Sequence, residues 1–441
     1  MAHHAKKVVI VTSGSRGDVQ PYCALGLELA ARGCDVVVCT EERVRPLVES
    51  FGLKYARLYG DPTAMLYDPA HQALLAEGRI MKVMAAAAKN QAPPEKVLGS
   101  VAEAAEGADV IVSAALTQPG TASVAEKLGV PWVPVFLGPV WPTREFCSWA
   151  LSATPWRWKW ANKASYKLLL SALWAQERAH VNAWRAKALS LAPLRGGVMP
   201  LVEGAGGAIP VVLMSGYEIV PGQRRPPDYP DFVQFTGYAY VPPAREADVE
   251  PSLRAFVAAG PPPVCLGFGS MPAPDPRKLL EMAAEVVRLT GRRAVLLAGW
   301  SDLKTGAGLP AELFVAREAP HDWLLPRCCC VVHHCGIGTC AAVLRAGVPS
   351  VPCPVMLDQP ANALRLVEAG CAVKPLPFAR LAAPALAARV EAACGDAVMA
   401  ARAAEAAAGI ARDWRGVAAA ADAVLSAQSP WPKLRAAGVI S

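Results

Sequence analysis

The same local pattern occurs twice, once near the start of each half of the chain. Residues 8–18 read VVIVTSGSRGD, an unbroken apolar run that ends in a Gly/Ser loop, and residues 264–271 read VCLGFGSM, which does the same. Each is followed by a stretch of helical character, Tyr22–Arg32 and Arg277–Thr290, and then by another apolar run, Asp35–Cys39 and Ala294–Leu297. Strands that alternate with helices pair in parallel. Strands that are apolar at every position are covered on both faces. Asp109–Ser113 and Trp132–Val135 continue the first series, and Cys330–His333 and Ser350–Pro354 the second. The fold class is therefore α/β, with two parallel-sheet domains, which 441 residues accommodate comfortably.

The expected boundaries follow from composition. Residues 1–218 form an N-terminal Rossmann-like domain. Residues 219–245 form a Pro-rich linker, and residues 246–408 a C-terminal Rossmann-like domain. Residues 409–441 are a helix and tail that pack back toward the N-terminal domain. The segment 141–184 breaks the α/β pattern. It holds seven of the twelve Trp, among them Trp141, Trp149, Trp156, Trp158 and Trp160, interleaved with Arg157, Lys159, Lys163 and Lys167. Such mixtures suit a membrane interface or a large apolar ligand, and they equally suit packing of an irregular insertion.

Net charge is +7 and spread along the chain, so a nucleic-acid footprint is not expected. No apolar run is long enough to span a bilayer. The thirteen Cys include no C-x-x-C pair, and Cys328, Cys329 and Cys330 are consecutive, a spacing that suits neither a disulfide framework nor zinc. A reduced, cytoplasmic compartment is expected, with peripheral membrane contact through the Trp-rich segment as a further expectation.

The strongest chemical cluster is Val331-Val332-His333-His334-Cys335-Gly336-Ile337-Gly338-Thr339. A strand, a His-containing turn with two Gly and a helix start make an anion site. The glycines let backbone approach closely, and free N–H groups at the helix N-terminus point at negative charge. The plainer reading is a helix cap with a packed histidine. Farther on, Asp358 and Gln359 follow the strand Ser350–Pro354. A carboxylate and an amide at a strand's carboxyl end suit sugar hydroxyls, and Asp358 also suits a helix cap.

HHCGIGT followed by PCPVMLDQP resembles the donor signature of inverting, UDP-sugar-dependent glycosyltransferases of the GT-B fold. GSRGDVQPY at Gly14–Tyr22 is similar to the opening of the sterol and lipid glucosyltransferase branch. So are GLKYARLYGDP at Gly52–Pro62, PTREF at Pro142–Phe146, GFGSM at Gly267–Met271 and PHDWLL at Pro320–Leu325. The resemblance implies two Rossmann-like domains facing each other across a cleft. It implies that His334, Gly336, Gly338 and Thr339 hold a diphosphate, that Ser270 meets the nucleotide or phosphate, and that Trp323 and Trp300 lie near the nucleoside. Asp358 and Gln359 would hold the sugar. No resident cofactor and no metal are implied: the co-substrate is a UDP-sugar, with UDP-glucose the first expectation. The acceptor is an apolar molecule bearing a hydroxyl, a sterol first, with a polyketide, flavonoid or glycolipid as the alternative. Trp141, Trp149 and Glu145 are the acceptor-side candidates. Cys335 and Leu357 stand where the family commonly has Gly, and a positive φ at Cys335 would be strained. Asn362 stands where sterol-type enzymes often have Trp.

An inverting transfer needs a base for the acceptor hydroxyl. Many relatives place a His after the first strand. This chain has Asp18 there, and the resemblance assigns it the role. A carboxylate in a dry cleft can be tuned for it, while the structural alternative is a cap on the following helix. Glu145 is the reserve. Two rivals remain. A nicotinamide dehydrogenase is poorly served, because Gly14 and Gly17 do not make G-x-G-x-x-G and only Glu41 or Glu42 favours it. The other is a lipid- or sterol-binding relative without activity.

Overall fold

Twelve strands form two all-parallel sheets in the computed structural model, which describes residues 5–61, 64, 68, 92–269, 276–299, 308–413 and 415–441. The first sheet runs β3-β2-β1-β4-β5-β6-β7, and the second runs β10-β9-β8-β11-β12. In the N-terminal sheet β1 is Lys7–Val11, β2 Asp35–Glu41, β3 Lys54–Leu58, β4 Val110–Ser113, β5 Trp132–Phe136, β6 Val211–Leu213 and β7 Val233–Phe235. In the C-terminal sheet β8 is Val264–Gly267, β9 Ala294–Leu297, β10 Leu313–Ala316, β11 Cys330–His333 and β12 Ser350–Pro352. Val8 pairs with Val36 on one side and Val110 on the other, so β1 is central.

The unbroken apolar character of β1 has the expected cause. Val9 and Val11 enter one core and Val8 and Ile10 the other, all with no exposure. Each such side chain contributes about 1.5–3 kcal/mol on burial. The C-terminal sheet is likewise sandwiched: Val264 and Leu266 face one cluster, Cys265 the other.

Three boundaries move. Strand β7 lies inside the stretch expected as a linker, so the N-terminal sheet runs to residue 235; Val233 pairs with Val211 there. The helix Ala397–Asp413 runs across residue 408, and its Ala403 and Ile410 are buried with the C-terminal core. The first helix is Arg16–Ala31 and starts six residues before the expected Tyr22. Ser15 and Asp18 form a capping box that starts it early, and Pro21 sits inside, lacking the N–H that would meet the Gly17 carbonyl.

The C-terminal end crosses back. The helix Gly416–Ser426 packs against Arg16–Ala31, with Ala420, Ala421 and Val424 buried among the N-terminal core residues. Trp431 is fully buried and donates its indole N–H to the Val130 carbonyl at 2.7 Å.

Candidate active site

In both sheets the strand order reverses at one place, between β1 and β4 and between β8 and β11. At such a reversal the connections leave to opposite faces and open a crevice beyond the carboxyl ends of the strands. The loop after β1 carries Asp18 and the loop after β11 carries His334. The crevices face each other and merge into one cleft of about 2050 Å³ lined from both domains.

On the N-terminal wall the Ser13–Asp18 turn is held from below by Glu41. This carboxylate is 1% exposed and accepts from the Ser13 and Thr40 hydroxyls and the Gly14 N–H. Arg43 reaches the Gly14 carbonyl at 3.3 Å. Gly14 has φ +132, and a Cβ there would lie 2.5 Å from Asp18 Oδ2, so only glycine fits. Asp18 Oδ2 accepts from the Ser15 N–H at 2.8 Å and the Ser15 hydroxyl at 2.9 Å. Asp18 is thus the partner that closes the helix cap and also part of the cleft wall. Burial raises its pKa, opposed by the Ser15 bonds and the charge of Arg43.

On the C-terminal wall the helix Ile337–Ala346 begins at Gly336 with no side chain capping its first turn. Its free N–H groups face the cleft edge, where its dipole favours an anion. Gly338 abuts the other domain: a Cβ there would stand 3.6 Å from the Gly17 carbonyl oxygen. The N-termini of two helices, one from each domain, therefore converge. The His334 ring lies between Gly269 and Gly336, where a Cβ on either would come within 2.6 Å of a ring atom. His334 is 9% exposed, lines the cleft, and its Nδ1 has no hydrogen-bond partner. Burial, then the charge of His321, brings its pKa down to about 4. His321 lies on the same wall and is also brought to about 4, by burial and then the charge of Arg16. Both shifts favour the neutral imidazole at pH 7, a form able to donate or accept a hydrogen bond.

Cys335 has φ +65 and Leu357 φ +57, so both non-glycine positions adopt the left-handed conformation. Asn362 joins the two turns. Its amide donates to the Cys335 carbonyl at 3.0 Å and to Asp358 Oδ2 at 2.8 Å. Asp358 heads the helix Gln359–Glu368, but its side chain bonds Asn362 and caps no backbone N–H. Burial raises its pKa to about 6, against the Asn362 bond; the charge of Asp18 adds to the rise and marks the approach of the two carboxylates across the cleft. The Gln359 carbonyl accepts from the N–H groups of Val355 and Met356, which leaves its NH₂ group for another partner.

The N-terminal domain adds a largely apolar part of the cleft wall. Leu116, Trp141, Phe146, Trp149, Leu170 and Leu173 line it. The expected residues Asp18, His334, Gly336, Gly338, Thr339, Asp358, Gln359, Trp141 and Trp149 all reach the cleft. Two do not. Trp323 is 6% exposed in the core, donates its indole N–H to Glu246 and stacks under Arg327. Its turn begins at Pro320, which directs His321 and Asp322 outward and Trp323 inward. Glu145 is drawn off by an ion pair with Lys159 at 3.1 Å. Ser270 and Trp300 lie outside the described residues. Sequence reasoning passed over Glu41 as a loop brace, His321 as a cleft residue and Asn362 as a strut. The DQPAN spacing, which puts Asn362 one helical turn after Asp358, was the available signal for the last.

Residues 8–147 match the Glycosyltransferase family 28 N-terminal domain. Residues 283–417 match the Erythromycin biosynthesis protein CIII-like, C-terminal domain. The chain is 36% identical over 414 residues to the O-mycaminosyltylonolide 6-deoxyallosyltransferase of Streptomyces fradiae, covering 90% of this chain and 92% of the relative. The chain belongs to the GT-B glycosyltransferases. This glycosyltransferase is also 30% identical over 389 residues to a sterol 3-beta-glucosyltransferase of Arabidopsis thaliana, covering 85% of this chain but only 61% of the relative. Among solved structures, the glycotransferase of kitacinnamycin aligns with a TM-score of 0.66 at 20% identity, covering 96% of this chain and all of that one. The glycosyltransferase VinC in complex with DTDP aligns with a TM-score of 0.60 at 16% identity, covering 98% of each chain. Both likenesses concern the fold. Among the described residues no helix is long and apolar enough to cross a membrane.

Proposed function

We propose that this glycosyltransferase moves a sugar, with inversion, from a nucleoside diphosphate to a hydroxyl of a bulky apolar acceptor. The observation that carries the reading is the position of Asp18, on the cleft wall between an apolar chamber and the uncapped helix N-terminus at Gly336. Asp18 takes the hydroxyl proton as the acceptor oxygen attacks the anomeric carbon. The bond from that carbon to the phosphate oxygen breaks, and the diphosphate leaves with the electron pair. The N–H groups of the Ile337–Ala346 helix, the Thr339 hydroxyl and the neutral His334 imidazole are aimed at the charge that develops there, so they favour the transition state over the ground state. Asp358 and the free NH₂ of Gln359 hold sugar hydroxyls. None of these steps draws on a metal ion.

UDP-glucose is the first donor to try, and thymidine diphosphate sugars the second, because a fold relative was solved with DTDP. For the acceptor, a macrocyclic polyketide alcohol takes precedence over a sterol. The relative matched over nine-tenths of both chains is named for O-mycaminosyltylonolide, and Asn362 is engaged in the donor loops. The sterol remains the competing arm. The test is donor consumption across both nucleotide series against macrolide aglycones and sterols, with melting temperature read for each ligand. Stabilisation by one nucleotide series and turnover with one acceptor class is expected. Stabilisation without turnover on any hydroxylated acceptor would refute the proposal.

The acceptor mouth also bears on membranes. Trp158 and Trp160 are 66% and 69% exposed beside the exposed Lys159 and Lys167. This belt suits peripheral contact with an anionic lipid surface. Flotation with phosphatidylserine vesicles should retain the wild type and lose the Trp156/Trp158/Trp160→Ala variant; equal flotation rejects the contact.

A further inference from the structure

Off the cleft lining, the fold brings Cys394 against the consecutive Cys329 and Cys330. Cys329 precedes β11 and Cys330 begins it, while His333 and the donor loop lie at the opposite end of that strand, about 10 Å away. Cys394 comes from the last turn of the helix Ala383–Gly395, which packs on β11. The Cys329 and Cys394 sulfurs are 3.4 Å apart, and with Cys330 all three lie within 4.8 Å of one another. Cys330 is fully buried, Cys329 and Cys394 are half-buried, and all are free. None of the three lines the cleft.

A cation flanks the cluster: the charge of Arg292 acts on Cys329. Arg292 is itself held by Glu391, one turn before Cys394, at 2.6 Å and 3.1 Å. A tetrahedral thiolate-bound zinc has sulfurs about 2.3 Å from the metal and so about 3.8 Å from each other. The Cys329–Cys394 separation of 3.4 Å lies near that value, and no pair of the three exceeds it by more than about 1 Å.

We propose that Cys329, Cys330 and Cys394 form a binding site for one thiophilic d¹⁰ cation of the zinc–cadmium class, with its fourth position open to water. Three protons leave as the cation binds, and the site then clamps the Ala383–Gly395 helix to β11 without taking part in the transfer reaction. Spacing along the chain conceals it, because the third ligand lies 65 residues beyond the first.

The experiment starts from reduced, metal-free protein titrated with Cd²⁺ and watched by the ultraviolet thiolate-to-metal absorbance. One cation per chain is expected, together with a melting temperature that climbs with the logarithm of Zn²⁺ concentration. Both signals should vanish in Cys394→Ser and Cys329→Ser and persist in the control Cys34→Ser. In unmutated protein, bound Cd²⁺ should slow alkylation of Cys329 and Cys394 at least tenfold by peptide mass spectrometry, a readout independent of variant folding. No absorbance from reduced wild type, an unchanged signal in Cys394→Ser, or unprotected thiols each overturn the site.

Discussion

Replacing Asp18 separates its place in the helix cap from the base role proposed for it. Its Oδ2 closes the cap of the Arg16–Ala31 helix through two bonds to Ser15, and the same group faces the cleft. Asp18→Asn keeps a carbonyl oxygen able to accept both bonds but cannot take a proton. General-base catalysis is typically worth about 10²–10⁴ in rate, or about 3–5 kcal/mol of barrier. Burial already disfavours the Asp18 charge, so its removal should leave stability nearly unchanged. Asp18→Ala removes the cap as well and should cost about 1 kcal/mol of stability on top of the same rate loss. Initial rates with saturating donor, paired with melting curves, read both quantities. The wild-type rate should fall as pH drops through a value above the ordinary carboxylate range, since burial raises Asp18 and the base must be ionised. An Asp18→Asn enzyme that keeps more than a tenth of the rate, or loses stability as Asp18→Ala does, would refute the assignment.

Asn362→Leu removes the amide shared by the Cys335 carbonyl and Asp358. The orphaned buried groups should cost about 1–3 kcal/mol, raise donor KM while sparing acceptor KM, and move any Asp358-linked acid limb upward; identical KM values for both substrates would exclude the strut. Leu357→Gly should stabilise by up to about 1 kcal/mol, since a left-handed non-glycine residue costs about 1–2 kcal/mol and Leu357 is half exposed. Cys335→Gly gains the same relief but empties a fully buried thiol's space, so its melting temperature should barely move; a destabilised Leu357→Gly contradicts the argument. His333 and His334 titrate at about 3 and 4 in the folded state against an ordinary 6.5. The unfolded chain binds more protons below 6.5, so stability must fall as pH drops from 6.5 toward 4, by about 3 kcal/mol for His334 alone. His334→Gln should flatten that slope, and an unchanged slope would remove the histidine from it. Glu126→Ala breaks the buried pair with Arg185, 2.8 Å apart and 1–2% exposed on both sides, and should cost about 3–5 kcal/mol in a denaturant melt.

The sheets were legible because a doubly covered parallel strand is apolar through its centre, as are Val8–Val11 of β1, Val264–Leu266 of β8 and Cys330–Val332 of β11. The turn expected to hold the donor was legible through its glycines, and Gly336 is required there because a Cβ would stand 2.5 Å from His334 Nε2. What sequence could not show was direction and distance. Trp323 and His321 sit two residues apart in one short turn, and only the turn's orientation decides that the histidine faces the cleft. Glu41 reads as a strand end until the fold brings it under Ser13 and Gly14. The start of the first helix was misplaced because Pro21 looks like a first-turn residue, whereas the Ser15–Asp18 box outweighs it. β7 was hidden by its Pro-rich flanks, since three paired residues are too few to leave a pattern.

The two left-handed residues, the two carboxylates and the two helix N-termini form one electrostatic arrangement. Cys335 and Leu357 bend their turns so that the helices Ile337–Ala346 and Gln359–Glu368 begin on the same wall, and Asn362 ties the bends together. Opposite stands the start of Arg16–Ala31, close enough that a Cβ on Gly338 would touch the Gly17 carbonyl oxygen at 3.6 Å. Positive dipole ends thus gather where the proposed diphosphate would sit, while the charge of Asp18 reaches Asp358 nearby. An empty cleft disfavours ionising both carboxylates. On the proposed reading, sugar hydroxyls donating to Asp358 would stabilise its charged form. That charge, which the two carboxylates share across the cleft, would strengthen Asp18 as the base, and an order of events in which the donor enters first would then be favoured.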